Sequence, residues 1–360
     1  MTITQYTADA IALLKQLIAV PSVSRSEKDA ADVMQRAMES YGFTPSREGN
    51  NLWVMSEQWD NNRPTLLLNA HIDTVKPVAT WTRDPFTPTI EGDRLYGLGS
   101  NDCGGGLVAL LQVFRALVST ENNNVPPAQE SWRNVNLIYL ASCEEEVSGA
   151  GGIRAVLPLL PKIDVAIVGE PTGMQPAIAE RGLMVIDGVA YGKSGHAARN
   201  EGVNAIYEAL DDLLFVRDYR FEKVSPLLGP TKMQCTVVNS GTQHNVVPDE
   251  CRFIIDVRTN EYYTNEEVFD FLQNRIKSHL KARSFHLHSS SIPLEHPLVQ
   301  RCVAMGMRPF GSPTLSDQAL MRFPSFKLGP GESSRSHSAD EFVCLSEIEN
   351  AISTYLKLLA

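Results

Sequence analysis

The chain has 360 residues, 43% hydrophobic and 21% charged, with a formal net charge of −10. At about 150 residues per domain this suggests roughly two domains. The mixture excludes a disordered chain, and the acidity argues against a nucleic-acid backbone or an anionic membrane as partner. No apolar run approaches the ~18 residues that span a bilayer. No signal-type N-terminus is visible, and the six cysteines are too sparse for a disulfide scaffold, so the expected setting is a reducing, cytoplasmic one.

In chain order, a first helix is predicted with Thr7 as cap and with Ile11, Leu14, Leu17 and Ile18 on one face, stopped by Pro21. Ser24 and Glu27 have capping-box spacing for a second helix that ends near Tyr41 and Gly42. Strands are predicted over 52–56, 65–68, 94–98, 136–141 and 165–168, with an apolar helix over 107–118 behind three glycines. The segment 121–129 reads as a polar, proline-containing loop. Buried apolar strands alternating with helices predict an α/β fold: a mixed, mostly parallel sheet flanked by helices. From about Ala179 the pattern changes to strands over 184–191, 232–239 and 251–258, separated by helices near 203–216 and 265–282. That pattern predicts an inserted α+β domain over 180–285, within a first domain made of 1–179 and 286–360. The return carries a helix near 296–305, a strand over 326–328 and a last helix over 346–359.

Ligands of an open parallel sheet collect outside the carboxyl ends of its strands. There stand His71 and Asp73 after LLLNA, Asp102 after LYGLGSN, Glu144, Glu145 and Glu146 after NLIYLASC, and Glu170 after VAIVG. Singly, each also reads as a turn residue or a solvated corner; their coincidence at the ends of separate strands points to a site. Imidazole and carboxylate without thiolate suit zinc, cobalt or manganese in a hydrolytic centre. Two metals need a shared carboxylate, and a further acid must take the proton of the attacking water. His337, in the Gly/Ser-rich loop before the last helix, is the candidate second imidazole. Cys103 and Cys143 flank the acids, but a cysteine hydrolase would leave those acids unexplained, so both are read as small packing residues. Gly104, Gly105 and Gly106 lack the Lys-Ser/Thr of a phosphate loop and read as close strand–helix packing.

The ordered set NAHIDTV, GLGSNDCGGG, ASCEEEVSGAGG, VGEPT, GKSGHAA, NVVPDECRFIIDVR and SHSADE resembles the two-zinc amidohydrolase family that includes acetylornithine deacetylases, succinyl-diaminopimelate desuccinylases, aminoacylases and carboxypeptidases. The resemblance covers essentially the whole chain. It implies a zinc-exopeptidase-like fold whose inserted domain serves as lid and dimerisation domain, in a homodimer. It implies His71, Asp102 and Glu170 as ligands of one metal and Asp102, Glu146 and His337 as ligands of the other. Asp73 would accept the second imidazole N–H of His71, and Glu145 would be the general base. His196 would reach the partner's active site to bind the oxyanion, with Asn245, Arg258 and Gly331 contacting substrate. The family often has a cis peptide just after the residue matching Asp102. Where it usually has Asp, this chain has Glu144, which leaves a choice between Glu144-Glu145 and Glu145-Glu146 as the functional pair; the second aligns the following VSGAG without a gap. Where the family often has a basic residue two places after the bridging Asp, this chain has Gly104. Length and a single inserted domain are most similar to acetylornithine deacetylases. The implied function is hydrolysis of N-acetylornithine to ornithine and acetate in arginine biosynthesis, with zinc expected and cobalt or manganese as alternatives. The alternative substrates are N-acetylcitrulline, N-succinyl-ornithine or -citrulline, succinyl-diaminopimelate, and a dipeptide.

Overall fold

Helix Ile3–Ile18 opens the chain in a computed structural model that describes residues 1–119, 135–199 and 201–359; the loop read over 121–129 lies outside the described residues. The helix starts a turn earlier than predicted. Thr2, not Thr7, is its cap: the Thr2 hydroxyl accepts from Gln5 N and the Gln5 side chain accepts from Thr2 N. Thr7 lies inside the helix, its hydroxyl donating to the Ile3 carbonyl at 2.9 Å. Helix Lys28–Ser40 has no side-chain cap bond. Its predicted capping box is spent on tertiary contacts: Ser24 donates to the Asp73 carboxylate at 2.7 Å, and Glu27 accepts from the main chain of Arg25 and Glu144 and from Asn50. A capping box is worth about 1 kcal/mol, and a buried acceptor near other donors outweighs that.

The chain divides into two compact units, Met1–Ile178 with Ile292–Phe310 and Ser316–Ala360, and Ala179–Ser291 with Gly311–Leu315. In the first, the strand order is Ser46–Glu48, Asn51–Met55, Asn136–Ser142, Thr65–His71, Val165–Val168, Ser325–Lys327, Ala177–Glu180. Thr65–His71 runs parallel to both neighbours, and Ser325–Lys327 runs parallel to Val165–Val168. The flanking pairings are antiparallel. The sheet is therefore mixed, as the sequence predicts. Its central strands are buried along their whole length, as helices on both faces require. Helix Gly105–Val118 packs beneath them, with Tyr139 donating its hydroxyl to the Leu107 carbonyl at 2.9 Å. A Cβ at Gly106 would lie 1.7 Å from the Gly169 carbonyl oxygen, so the glycine run serves close helix–strand packing. A small sheet of Thr89–Glu91, Arg94–Tyr96 and Phe342–Cys344, missed in part by the sequence, precedes the last helix, Leu345–Leu359.

The second unit carries a four-stranded antiparallel sheet in the order Lys232–Ser240, Glu250–Arg258, Met184–Tyr191, His279–Ala282. Its core is Ile186, Phe253, Ile255, Val268 and Leu272. The helix predicted over 265–282 stops at Gln273, and its last part is the fourth strand. The Asp212 carboxylate accepts from Lys277 N, Ser278 N and the Ser278 hydroxyl, which fixes the turn that separates them. All six cysteines are free thiols, and no described helix is long and apolar enough to cross a membrane.

Candidate active site

The strand Thr65–His71 ends on His71, only 2% exposed. Its Nε2 lies 3.3 Å from Asp102 Oδ1, 3.7 Å from Glu170 Oε1 and 4.0 Å from Glu145 Oε2. Glu170 follows strand Val165–Val168, and Asp102 precedes helix Gly105–Val118, its peptide bond to Cys103 being cis. The other oxygen of Asp102, Oδ2, lies 3.6 Å from His337 Nε2, which is 2.9 Å from Glu146 Oε2. One carboxylate thus turns its two oxygens toward two different imidazoles, and each imidazole has a further acid beside it.

Asp73 does a different task from the one expected. His71 Nδ1 lies 2.8 Å from the Asp73 main-chain carbonyl, whereas the Asp73 carboxylate is 3.6 Å away. A carbonyl only accepts, so Nδ1 donates there and Nε2 is the ring atom that faces the acids. The Asp73 carboxylate instead accepts from Glu145 N at 3.0 Å, Glu146 N at 3.2 Å and the Ser24 hydroxyl. It anchors the first N–H groups of the short turn Glu145–Val147, groups that no turn of that length can satisfy internally. Glu144, left-handed at φ 53°, accepts from Gly151 N. A Cβ at Gly149 would lie 1.8 Å from its Oε2. Glu144 is thus engaged by the glycine loop, while Glu145 and Glu146 face the imidazoles.

The acids are crowded out of water. Burial pushes Glu145 well above the usual carboxylate range, with the charges of Glu170, Asp317 and Glu146 adding to it. Burial, then the charge of Asp102, pushes Glu170 up to about 8. Burial likewise raises Glu146. Glu170 Oε1 is buried with no hydrogen-bond partner. Packed carboxylates short of countercharge, one of them orphaned, are a donor set that fits divalent cations. The ligand atoms of His71, Asp102 and Glu146 all lie within 4.8 Å of one another, as do those of His71, Cys103 and Glu170. Cys103 is the poorer donor: burial drives its thiol pKa far up, and its sulfur sits on the main chain of His71. Burial raises the Cys143 thiol as well. The His71 imidazole lies beside the Cys103 thiol, but burial outweighs its lowering effect there.

Three supporting residues escaped the sequence reading. Glu341 accepts from Gly99 N, Asn101 N and Asp102 N at 3.0, 2.8 and 2.9 Å. Asn101 holds the main chain of Glu332. Asp317, buried and thereby pushed up to about 6, accepts from the Ser142 hydroxyl at 2.6 Å. Only the proximity of Asn101 to Asp102 and of Glu341 to His337 in the chain signalled any of these. Gly331, expected to face substrate, has φ +82° and packs on Asn101, whose Oδ1 would lie 2.2 Å from an added Cβ. Its conformation belongs to the scaffold.

In the second unit, His196 is exposed and bridged to Val246, and its Nδ1 accepts from Ala198 N at 3.1 Å. The Asn245 carbonyl accepts from Ala197 N. Arg258 is bound by Asp256 through Nε and Nη2 at 2.8 and 3.0 Å.

Residues 67–360 match the family described as peptidase family M20/M25/M40. The chain belongs to that family. Among its M20 relatives is an acetylornithine deacetylase of Proteus mirabilis, 27% identical, with the alignment covering 94% of this chain and 93% of the relative. A succinyl-diaminopimelate desuccinylase of Buchnera aphidicola is 26% identical over 74% of this chain and 73% of its own length. In fold the chain is similar to the YXEP protein of Bacillus subtilis, a dinuclear metal-binding peptidase of the M20 family: TM-score 0.68, 16% identity, covering 99% and 98% of the two chains. The expected family and α/β class are borne out, and the chain is an M20 metallo-hydrolase.

Proposed function

We propose that this M20 enzyme hydrolyses the amide bond of an N-acyl-α-amino acid, with N-acetylornithine as its substrate, releasing acetate and ornithine within arginine biosynthesis in the cytoplasm. The observation that carries the reading is Asp102 turned between His71 and His337, with Glu170 and Glu146 beside them and Glu145 alongside. Relatives that act on acetylornithine and on succinyl-diaminopimelate support an acylated amino acid, and the second keeps a succinyl substrate as the alternative.

His71, Asp102 and Glu170 would hold one divalent ion, and Asp102, Glu146 and His337 the other, zinc being expected. Such a pair would supply Lewis-acid polarisation of an amide carbonyl and a water of lowered pKa. Glu145 takes the proton of the attacking water and passes it to the leaving amine nitrogen. Its burial favours the protonated form it must reach midway. The Nδ1–H of His71, held by the Asp73 carbonyl, leaves Nε2 as the ring atom that would ligate. The resemblance assigns Asn245 and Arg258 to substrate contact, Arg258 to its carboxylate through the donors that Asp256 leaves over. The chain acts as a homodimer through its second unit, and His196 of the partner subunit donates to the developing oxyanion.

Removing one oxyanion donor costs about 2.7–4 kcal/mol. His196→Ala is therefore expected to lower kcat by about a hundredfold or more with KM little changed; wild-type kcat in that variant removes His196 from the reaction. The function itself is tested on protein stripped by a chelator and reloaded with Zn²⁺ or Co²⁺. Release of free amino acid is measured from N-acetylornithine, N-acetylcitrulline, their succinyl analogues and succinyl-diaminopimelate. Preference for acetylornithine is expected. Preference for a succinyl substrate moves the assignment to the alternative, and no release from any of them by metal-loaded protein ends the deacylase reading.

A further inference from the structure

The side chains that meet at Asp102 are not held in the same way. His71 stands at the end of a sheet strand, where the ladder pairs it with Ser142, and Glu170 follows the strand Val165–Val168 by two residues. His337 stands on a loop. Its side chain is 54% exposed and its backbone is left-handed at φ 58°, as is that of Asp340 at φ 54°. Non-glycine residues in that region cost of order 1–3 kcal/mol and persist only where the surroundings over-determine them.

The surroundings do so by a reciprocal clamp between the segment before Asp102 and the segments on either side of His337. Downstream, the Glu341 carboxylate, 2% exposed, accepts three main-chain N–H groups: Oε1 takes Asn101 N and Asp102 N, and Oε2 takes Gly99 N. Upstream, the wholly buried Asn101 side chain accepts from Glu332 N at 2.9 Å, donates to the Glu332 carbonyl at 3.0 Å and donates to the Ser336 hydroxyl at 3.3 Å. Asp340 is pinned separately by Thr82 and Arg83. The loop of His337 is thereby tied to the main chain of Asp102 before and after the histidine. Among the described residues, its ring is met by Glu146 and Asp102 alone.

We propose that Glu341, together with Asn101, is a positioning residue that sets the spacing between Asp102 and His337 and so the affinity of the second cation. This rests on the two-cation reading above. Glu341→Gln keeps an acceptor for Asn101 and Asp102 but turns an NH₂ group against the N–H of Gly99, so the loop must shift. Asp102 is shared, but His71 lies on a strand outside the clamp and His337 on the clamped loop, so the loss should fall mainly on the second cation. Supporting residues of this kind carry about 10–100-fold in metal affinity.

The test is a titration of chelator-stripped protein with Co²⁺, followed by its visible absorption bands and by calorimetry. Wild-type protein should bind two ions in two steps. Glu341→Gln should keep the tighter step and weaken the other by about 10–100-fold, with the metal-free protein still folded in a cooperative melting transition and partial recovery in Glu341→Asp. Asn101→Ala, which opens the clamp from its other end, should give the same split. Unchanged binding in a folded variant overturns the inference, and so does equal weakening of both steps. Loss of the fold in both variants overturns it too, because the residues would then serve the fold as a whole. If wild-type protein takes up no Co²⁺, the two-cation reading fails on that measurement alone, before any variant is compared.

Discussion

Replacing Glu145 with glutamine is expected to lower turnover by about 10²–10⁴-fold, the range supplied by a positioned proton carrier, while the protein still binds its cations. The side chain lies beside His71 at 4.0 Å, and burial raises its proton affinity above that of an ordinary carboxylate. Glutamine keeps the shape and the neighbouring hydrogen bonds and loses only the ability to take up a proton. The Glu145 N–H that Asp73 holds is unaffected, so the turn should stay in place. Glu146→Gln should behave in the opposite manner. Its carboxylate meets His337 at 2.9 Å, so metal content should fall together with activity. Glu144→Gln should change neither by much, because its carboxylate is taken up by Gly151. Metal analysis and steady-state rates on the three variants decide the matter. If Glu144→Gln abolishes turnover and Glu145→Gln loses metal, the functional pair is shifted by one residue.

The strands that carry these acids were legible because a parallel sheet buried on both faces writes itself as an unbroken apolar run. The predicted strand over 165–168 matches the observed Val165–Val168, and the acid or imidazole after each run marks its carboxyl end. The local signals that failed were those overruled by distant partners. Ser24 and Glu27 have the spacing of a helix cap, yet Asp73 and the main chain of Glu144 take them. The segment 276–282 alternates between more and less buried positions, a strand signature, but it follows a well-capped helix and reads as its continuation unless the three bonds to Asp212 are known. For the site, the resemblance named residues and the geometry adds contacts that it did not name. Gly331 is fitted to Asn101, and Asp73 serves the turn of Glu145 rather than the ring of His71. No spacing rule shows which of two acceptors on one residue, the carbonyl or the carboxylate, a histidine will choose.

That last distinction gives the second large effect. Asp73→Ala strands the N–H groups of Glu145 and Glu146 and the hydroxyl of Ser24 in a site where Asp73 itself is 1% exposed. Each buried donor left without a partner costs about 1–3 kcal/mol. Stranding the two main-chain donors alone should therefore lower stability by roughly 2–6 kcal/mol, a fall in melting temperature of order 10 °C for a unit of this size. Metal affinity should drop by about 10–100-fold as Glu146 is released. Asp73→Asn separates this account from a role on the imidazole. It retains one acceptor oxygen and sets an NH₂ group against the remaining main-chain N–H, so the turn should loosen. The His71 Nδ1–H would still donate to the unchanged main-chain carbonyl of residue 73, at 2.8 Å in the native protein. The imidazole ¹⁵N shifts of His71 in Asp73→Asn should therefore keep the pattern of a proton on Nδ1, while the amide signals of Glu145 and Glu146 move. A change of tautomer with those two amides undisturbed would return the Asp73 carboxylate to the histidine and remove it from the turn.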